Sequence, residues 1–581
     1  MYEKSLGMRH LRVLRARTRQ SWPPSSAAGA ARDGKDEENA PTEPVGCTID
    51  ARQDSKTEIP VESSRSPCWR CAMKRIWQQW LAVVGALAAY ALATLPVLLR
   101  YPPVWPDEVI FSTPAISLAR HGFLSSDVLT GFLAGMDRYY YWHPPLYFLV
   151  LAPFMRVVPP HDYLLVMRLA SWCLGAAFLV LSGFILRRIS GSLWAMWGTL
   201  VLLATHITFI RAANIGRMEM LTLVCGAASV VAYFRALETE GRRWWAVAGL
   251  AGGLACVSHP AGAFIVAGLV LHYLTTLDRH SLRESKGLVF LAWAAAPLLA
   301  WLVYAVRAPS IFASQLGGQY VRKAAEMTGT LAPGILAKIL YPVKFSPMPG
   351  LNHDWFFLVI ALVVAGMCLT RDQFFLVIAL VVAGMCLTQT EGQRWFRIVG
   401  FWAISGVALN LLAHEDWYPV YFSLPVILLL GGCAAAARHP LARRLAAAMI
   451  LAGILGNFLL ISMLHGNKYL TWKEYREYAS AIAAKIPPGS SVLLAAIPDP
   501  YFGMLAEGRG YHFHEFVPIG VPVDADLAER TLDSTDYVVD TGCCRPAYLD
   551  RYMRAHGTLV SDFQIAGHAW PDVRVWRLRR P

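Results

Sequence analysis

Asp107 and Glu108 stand side by side in "VWPDEVIF", a few residues beyond a long apolar run. A short list of other polar residues interrupts the apolar segments. These are His143 in "YWHPPLYFLV", Arg168 in "MRLASWCLGA", Arg217 and Glu219 in "NIGRMEM", His259 in "VSHPAGA" and Tyr418 in "HEDWYP". A carboxylate can take a proton from a hydroxyl, and guanidinium or imidazole groups can neutralise a departing phosphate. Ionisable groups at membrane depth are costly, which makes them candidates for function. Taken singly, each has an equally good structural explanation; an acid pair at a helix start, for example, is favoured by the helix dipole. Their gathering on one side of the membrane carries more information.

Other motifs point elsewhere or nowhere. No Gly-rich phosphate loop and no GxSxG elbow is present. "CWRC" (Cys68, Cys71) is half a zinc knuckle without a second pair, so no metal site is assigned and a divalent metal is not indicated. "DTG" at Asp540 occurs once, "DAD" at Asp524 and Asp526 reads as a helix cap, and "HFHE" puts His512 and His514 on one strand face in a structural role. The eleven cysteines lie largely in apolar blocks or in idle pairs and form no disulfide framework.

The elements that must position the polar set are membrane helices. Of 581 residues, 55% are hydrophobic and only 16% charged, below the quarter usual in soluble domains. Apolar blocks of about 15–25 residues repeat from Trp80 to Met463, long enough to cross a bilayer. The net charge of +13 collects in short basic clusters between these blocks, the pattern of topology signals; nucleic acid is excluded as a partner and the lipid bilayer implied. Residues 1–72 lack apolar periodicity and are expected to be a disordered cytosolic tail or the product of a mis-assigned start, because Met73-Lys74-Arg75 resembles a natural N-terminus. With Lys74 and Arg75 inside, the first loop (100–162) emerges outside. The spans expected next are Tyr163–Leu186, Leu193–Ile210, Met218–Phe234, Trp244–Val257, Ala263–Leu274, Gly287–Val306 and Leu445–Met463. The basic loops keep to one side if His143–Met155 is a re-entrant or surface helix. "FFLVIALVVAGMCLT" occurs twice without change, at 356–370 and 374–388, a tandem duplication from which an odd number of crossings is expected. From Lys468 to Pro581 helical and strand patterns alternate, as in a small α/β domain outside the membrane.

The first-loop acid, the "HPP" helix and the segments "MRLASWCLGA", "RMEMLTL", "SHPAGA" and "WYPVYFSLPVILLL" together resemble the GT-C glycosyltransferases. The similarity is to bacterial members akin to protein O-mannosyltransferases and the lipid A aminoarabinose transferase, over roughly Trp80–Met463. The resemblance implies an α-helical polytopic membrane protein of about 11–13 spans with a GT-C-like domain (73–467) and a C-terminal α/β domain (468–581). It implies inverting transfer from a polyprenyl-phosphate sugar to a hydroxyl acceptor at the outer face of a bacterial inner membrane. Asp107 would be the base, with Glu108 and Glu219 positioning acceptor or sugar, and Arg168, Arg217, His143, His259 and Tyr418 would hold the donor. Many relatives carry lysine where this chain has His259. The rival expectation, a transporter or flippase of lipid-linked sugars, calls for inverted repeats and mid-span polar residues; the sequence has a direct repeat and apolar mid-spans.

Overall fold

The computed structural model describes residues 69–239, 241–276, 285–330, 394–412, 417–436, 440–466, 469–516, 523–542, 545, 547–564 and 572–579. The N-terminal tail, both copies of the duplicated segment, and His414 to Asp416 lie outside the described residues.

Among the described residues up to Gly466 the α-helices are α1 (Trp69–Thr94), α2 (Pro106–His121), α3 (Leu146–Val157), α4 (Tyr163–Ser190), α5 (Leu193–Thr205), α6 (Ile207–Ala213), α7 (Glu219–Thr239), α8 (Arg242–Ser258), α9 (Gly262–Thr276), α10 (Lys286–Ala305), α11 (Pro309–Thr330), α12 (Arg394–Leu412), α13 (Pro419–Ala436) and α14 (Pro440–Gly466). Among the described residues five segments are long and apolar enough to cross a membrane: Trp77–Val97, Pro160–Ser190, Glu219–Thr239, Lys286–Ala305 and Arg443–Met463. They leave Leu92, Leu288, Val303 and Phe458 on their outer faces, each more than 60% exposed. Such residues are stable there only against lipid. α3 has 12 residues with Pro153 inside it. At 1.5 Å per residue it is too short to span about 30 Å of hydrocarbon.

One expected span is broken. Leu193–Ile210 is two helices, α5 and α6, bent by 58° at His206, whose ψ of 130° takes the backbone out of the helical region. The break redirects α6, so that Arg211 and Asn214 leave the axis of α5; Asn214 then donates from Nδ2 to Thr94 O at 3.4 Å.

The C-terminal unit is a five-stranded sheet of order β2-β1-β3-β5-β4, with β1 (Ser491–Ala495), β2 (His512–Glu515), β3 (Tyr537–Asp540), β4 (Gly557–Phe563) and β5 (Val573–Leu578). β1 runs parallel to β2 and β3, with Leu493 opposite both His514 and Val538; β5 pairs antiparallel with β3 and β4. Helices α15 (Trp472–Ala483), α16 (Tyr501–Ala506), α17 (Ala525–Ser534) and α18 (Ala547–His556) lie between and around the strands. Asp524 caps α17, its Oδ1 accepting from Leu527 N at 3.0 Å, and Asp540 pairs with Arg545.

The sheet does not stand apart from the first loop. Val109, Phe132, Met136, Leu493, Val538 and Leu532 belong to one continuous buried cluster. Hydrogen bonds to the main chain of the loop reinforce it: Asp499 N donates to Val104 O at 2.9 Å, and the Thr531 side chain donates from Oγ1 to Gly131 O at 2.8 Å. The loop that carries Asp107 is thus held between the helical bundle and the α/β unit.

Candidate active site

Proline at the first position of α2 starts the helix where its missing N–H costs nothing. Consecutive helical residues then point about 100° apart, and this separates the acid pair. Glu108 turns inward and is fully buried. Its Oε1 accepts from Arg168 Nε (2.9 Å) and Gly216 N (2.9 Å), and its Oε2 from Arg168 Nη2 (2.7 Å) and Trp105 N (3.2 Å). The remaining arm of Arg168, Nη1, donates to Leu98 O at 2.9 Å. Neither side chain is exposed at all. This two-pronged ion pair joins the segment after α1, the start of α2, the second turn of α4 and the turn before α7. Its charges cancel and its hydrogen-bonding capacity is largely used. Glu108 and Arg168, expected from the sequence to touch acceptor and phosphate, are directed into the frame of the site instead.

Asp107 points the other way, its side chain 21% exposed, and pairs with Arg217 through Oδ2 and Nη1. The same guanidinium donates from Nε and Nη2 to Glu219 Oε1, at 3.0 and 2.7 Å. Arg217 therefore stands between two carboxylates, and Glu219 Oε2 is buried with no hydrogen-bond partner. Its guanidinium lies over the rings of Phe111 (5.2 Å) and Trp417 (4.6 Å). Trp417 also carries Arg211, at 3.8 Å from the ring centre. These are cation–π contacts, and those of the buried Arg217 gain strength from its removal from solvent.

From Phe111 an aromatic run leads to the other candidates. Phe111 meets His143 edge-on at 4.9 Å, His143 lies 6.1 Å from His259, and His259 touches Tyr418 (5.6 Å) and Tyr421 (6.1 Å). His259 ends α8 in an extended conformation, and its Nδ1 accepts from Ala261 N at 3.1 Å. That bond puts the proton of the neutral ring on Nε2. The six candidates Asp107, Glu219, Arg217, His143, His259 and Tyr418 are thus linked by direct contacts through Phe111 and Trp417, with Glu108 and Arg168 directly behind them. Sequence reasoning missed Arg211, Trp417, Phe111 and Tyr421. Arg211 carried a signal, a lone cation in the apolar run "HITFIRAANIG"; the aromatics carried none that separated them from ordinary core.

Among the described residues no three His, Cys, Asp or Glu side chains gather to hold a metal ion. What is assembled is a carboxylate at a half-open mouth, cations beside it and aromatic walls: an arrangement able to deprotonate a hydroxyl and receive an anion.

A helical membrane protein with a polar site at the ends of its spans and a small α/β appendage is the class this architecture defines. Residues 142–304 match the family model described as dolichyl-phosphate-mannose-protein mannosyltransferase. The matched stretch contains His143, Arg168, Arg217, Glu219 and His259, and it bears out the GT-C resemblance read from the motifs. Among solved structures, the chain is similar to the oligosaccharyltransferase AglB from Archaeoglobus fulgidus in complex with an inhibitory peptide and a dolichol-phosphate. That similarity has 13% identity and a TM-score of 0.47, over 81% of this chain and 70% of that one. The protein O-mannosyltransferase Pmt1–Pmt2 complex of S. cerevisiae bound to the sugar donor matches at 19% identity and a TM-score of 0.30, over 41% of this chain and 35% of that one. No curated protein matches the chain.

Proposed function

We propose that the chain is an integral-membrane glycosyltransferase that moves a sugar from a polyprenyl-phosphate donor to a hydroxyl acceptor at the outer face of a bacterial inner membrane, with the α/β unit on the same side. The observation that carries this reading is the division of the acid pair within a chain whose 142–304 segment matches the mannosyltransferase family. Glu108 is sealed against Arg168, while Asp107 is half-open and shares Arg217 with Glu219.

In this reading the lipid tail stays in the bilayer and the phosphate enters beside Arg217 and Arg211, with the Nε2–H of His259 and the Tyr418 hydroxyl as further donors. A phosphate oxygen competes with Asp107 for Arg217 and releases the carboxylate to accept a hydrogen bond from the acceptor. The acceptor oxygen then attacks C1 of the sugar from the face opposite the phosphate. The C1–O bond to phosphate breaks with its electron pair on the departing phosphate, and the acceptor proton passes to Asp107. The configuration at C1 inverts. Asp107 is a competent base only once donor is bound, which limits loss of donor to water before an acceptor arrives.

The test is transfer of radiolabelled sugar from a polyprenyl-phosphate donor by the purified full-length chain in nanodiscs. Wild type should transfer label and Asp107→Asn should lose roughly 10²–10⁴-fold in kcat. If Asp107→Asn transfers as well as wild type, Asp107 is not the base.

A further inference from the structure

Between α2 and α3 the first loop has little regular structure, and part of its main chain is satisfied by one side chain from far along the chain. Gln315 of α11 accepts on Oε1 from Tyr141 N at 2.8 Å, and its Nε2 donates to Ala134 O (3.1 Å) and Tyr139 O (3.0 Å). The separation is 174 residues for the first of these bonds. Gln315 is only 4% exposed, although Ser310, Ala313, Ser314 and Tyr320 on the same helix are exposed. The three loop groups require one acceptor and two donors at the end of a three-bond stem. A glutamine amide supplies that set; glutamate lacks the donors, lysine the acceptor, and asparagine is one methylene short.

The surrounding contacts fix the same segment. The Tyr141 ring packs edge-on against Tyr304 (5.2 Å) and Phe312 (5.6 Å), and its hydroxyl donates to Tyr304 O at 3.2 Å. Ile311 lies over Gly135, whose φ of +78° places it in the left-handed region; a Cβ there would come within 2.7 Å of Ile311 Cδ1. Two residues beyond Tyr141 stands His143, against Phe111 and His259. The backbone on the N-terminal side of His143 is thus held by α11, and Pro144 and Pro145 restrict it on the other.

We infer that Gln315 is a positioning residue: through the Tyr141 amide and the Ala134 and Tyr139 carbonyls it sets where His143 stands in the donor site. Gln315 reaches no substrate; its effect passes through His143 alone. The inference rests on the reading of His143 as a donor-site group, while the loop contact itself stands independently of it.

The test uses the full-length protein in nanodiscs. Gln315→Met keeps the length of the side chain and removes all three hydrogen bonds. It should lower kcat/KM for the donor roughly ten- to a hundredfold, donor affinity falling with it, and cause no further loss when combined with His143→Ala. Gln315→Asn, which keeps the same polar groups on a shorter stem, should fall between and stands in should the Met variant not fold. Two readouts need no turnover: hydrogen exchange of the 135–143 segment and the rate of carbethoxylation at His143 should both rise in the variants. Equal losses with and without His143, or unchanged exchange and unchanged His143 reactivity, would overturn the inference. If wild type transfers no sugar, the functional reading fails, and the exchange and modification rates then decide the role of Gln315 by themselves.

Discussion

Two neighbouring carboxylates meet different partners because one helical step separates them. Glu108 and Arg168 form a zero-exposure pair, so removing one partner leaves the other charged and buried, at a cost of about 3–5 kcal/mol. Arg168→Met should therefore depress the melting temperature of the purified protein sharply. Asp107→Asn should leave melting nearly unchanged while turnover collapses. A thermal scan beside a transfer assay separates the two; equal melting of wild type and Arg168→Met would refute the framing role. The sequence marks both acids as important, and helix geometry alone would have split them. It does not reveal which cation meets which acid, because Arg168 is sixty residues from Glu108 and Arg217 more than a hundred from Asp107. Proximity in sequence puts Arg217 with Glu219; only folding brings Asp107 to the same guanidinium.

At the scale of elements, hydropathy and basic loops locate α1, α4, α7, α10 and α14, since in lipid a continuous apolar run has little choice but helix. The kink at His206 escapes such reasoning: an apolar run of spanning length reads the same whether straight or broken. Packing between helices is legible in part. Gly249 and Gly253 are four residues apart on α8, and the structure places Phe290 O and Ala294 O of α10 within 2.2 and 2.3 Å of where a Cβ would stand. Alanine favours a helix over glycine by about 1 kcal/mol, but a helical carbonyl cannot swing aside, so the clash should win. Gly249→Ala should destabilise by about 1–3 kcal/mol. Gly317 of α11 has nothing within 4 Å of its notional Cβ, and Gly317→Ala should be neutral or slightly stabilising. Melting temperatures of the two variants should move apart; a Gly249→Ala protein as stable as wild type would mean the two helices do not approach as described.

For the whole molecule, the alternation of helix and strand after Lys468 is readable, but its shared core with the first loop is not, because a contact such as Thr531 to Gly131 spans 400 residues. A second acid pair lies at that junction. Asp499, in the segment between β1 and α16, and Glu515, the last residue of β2, are both fully buried and interact, next to the Asp499 N to Val104 O bond that leads towards Asp107. Tyr475 donates its hydroxyl to Asp499 O, Tyr478 to Pro498 O, and Tyr501 N donates to Asp499 Oδ1. Burial pushes the Asp499 carboxyl up to about 7, opposed by the Tyr501 amide and by Glu515, and reinforced by the charge of Glu108. Burial likewise pushes Glu515 up, and Asp499 adds to the rise. An acid whose folded pKa is raised binds its proton more tightly when folded, so its contribution to stability is complete below the unfolded value near ~4 and fades as pH rises through about 7. Between those values the slope approaches about 1.4 kcal/mol per pH unit for one proton. Wild type should therefore melt at lower temperature at pH 7.5 than at pH 5. Asp499→Asn, which keeps an oxygen for the Tyr501 amide but cannot ionise, should flatten that dependence. Parallel pH curves for the two proteins would show that Asp499 is already ionised in the folded state, and that the join between the sheet and the first loop does not depend on its proton.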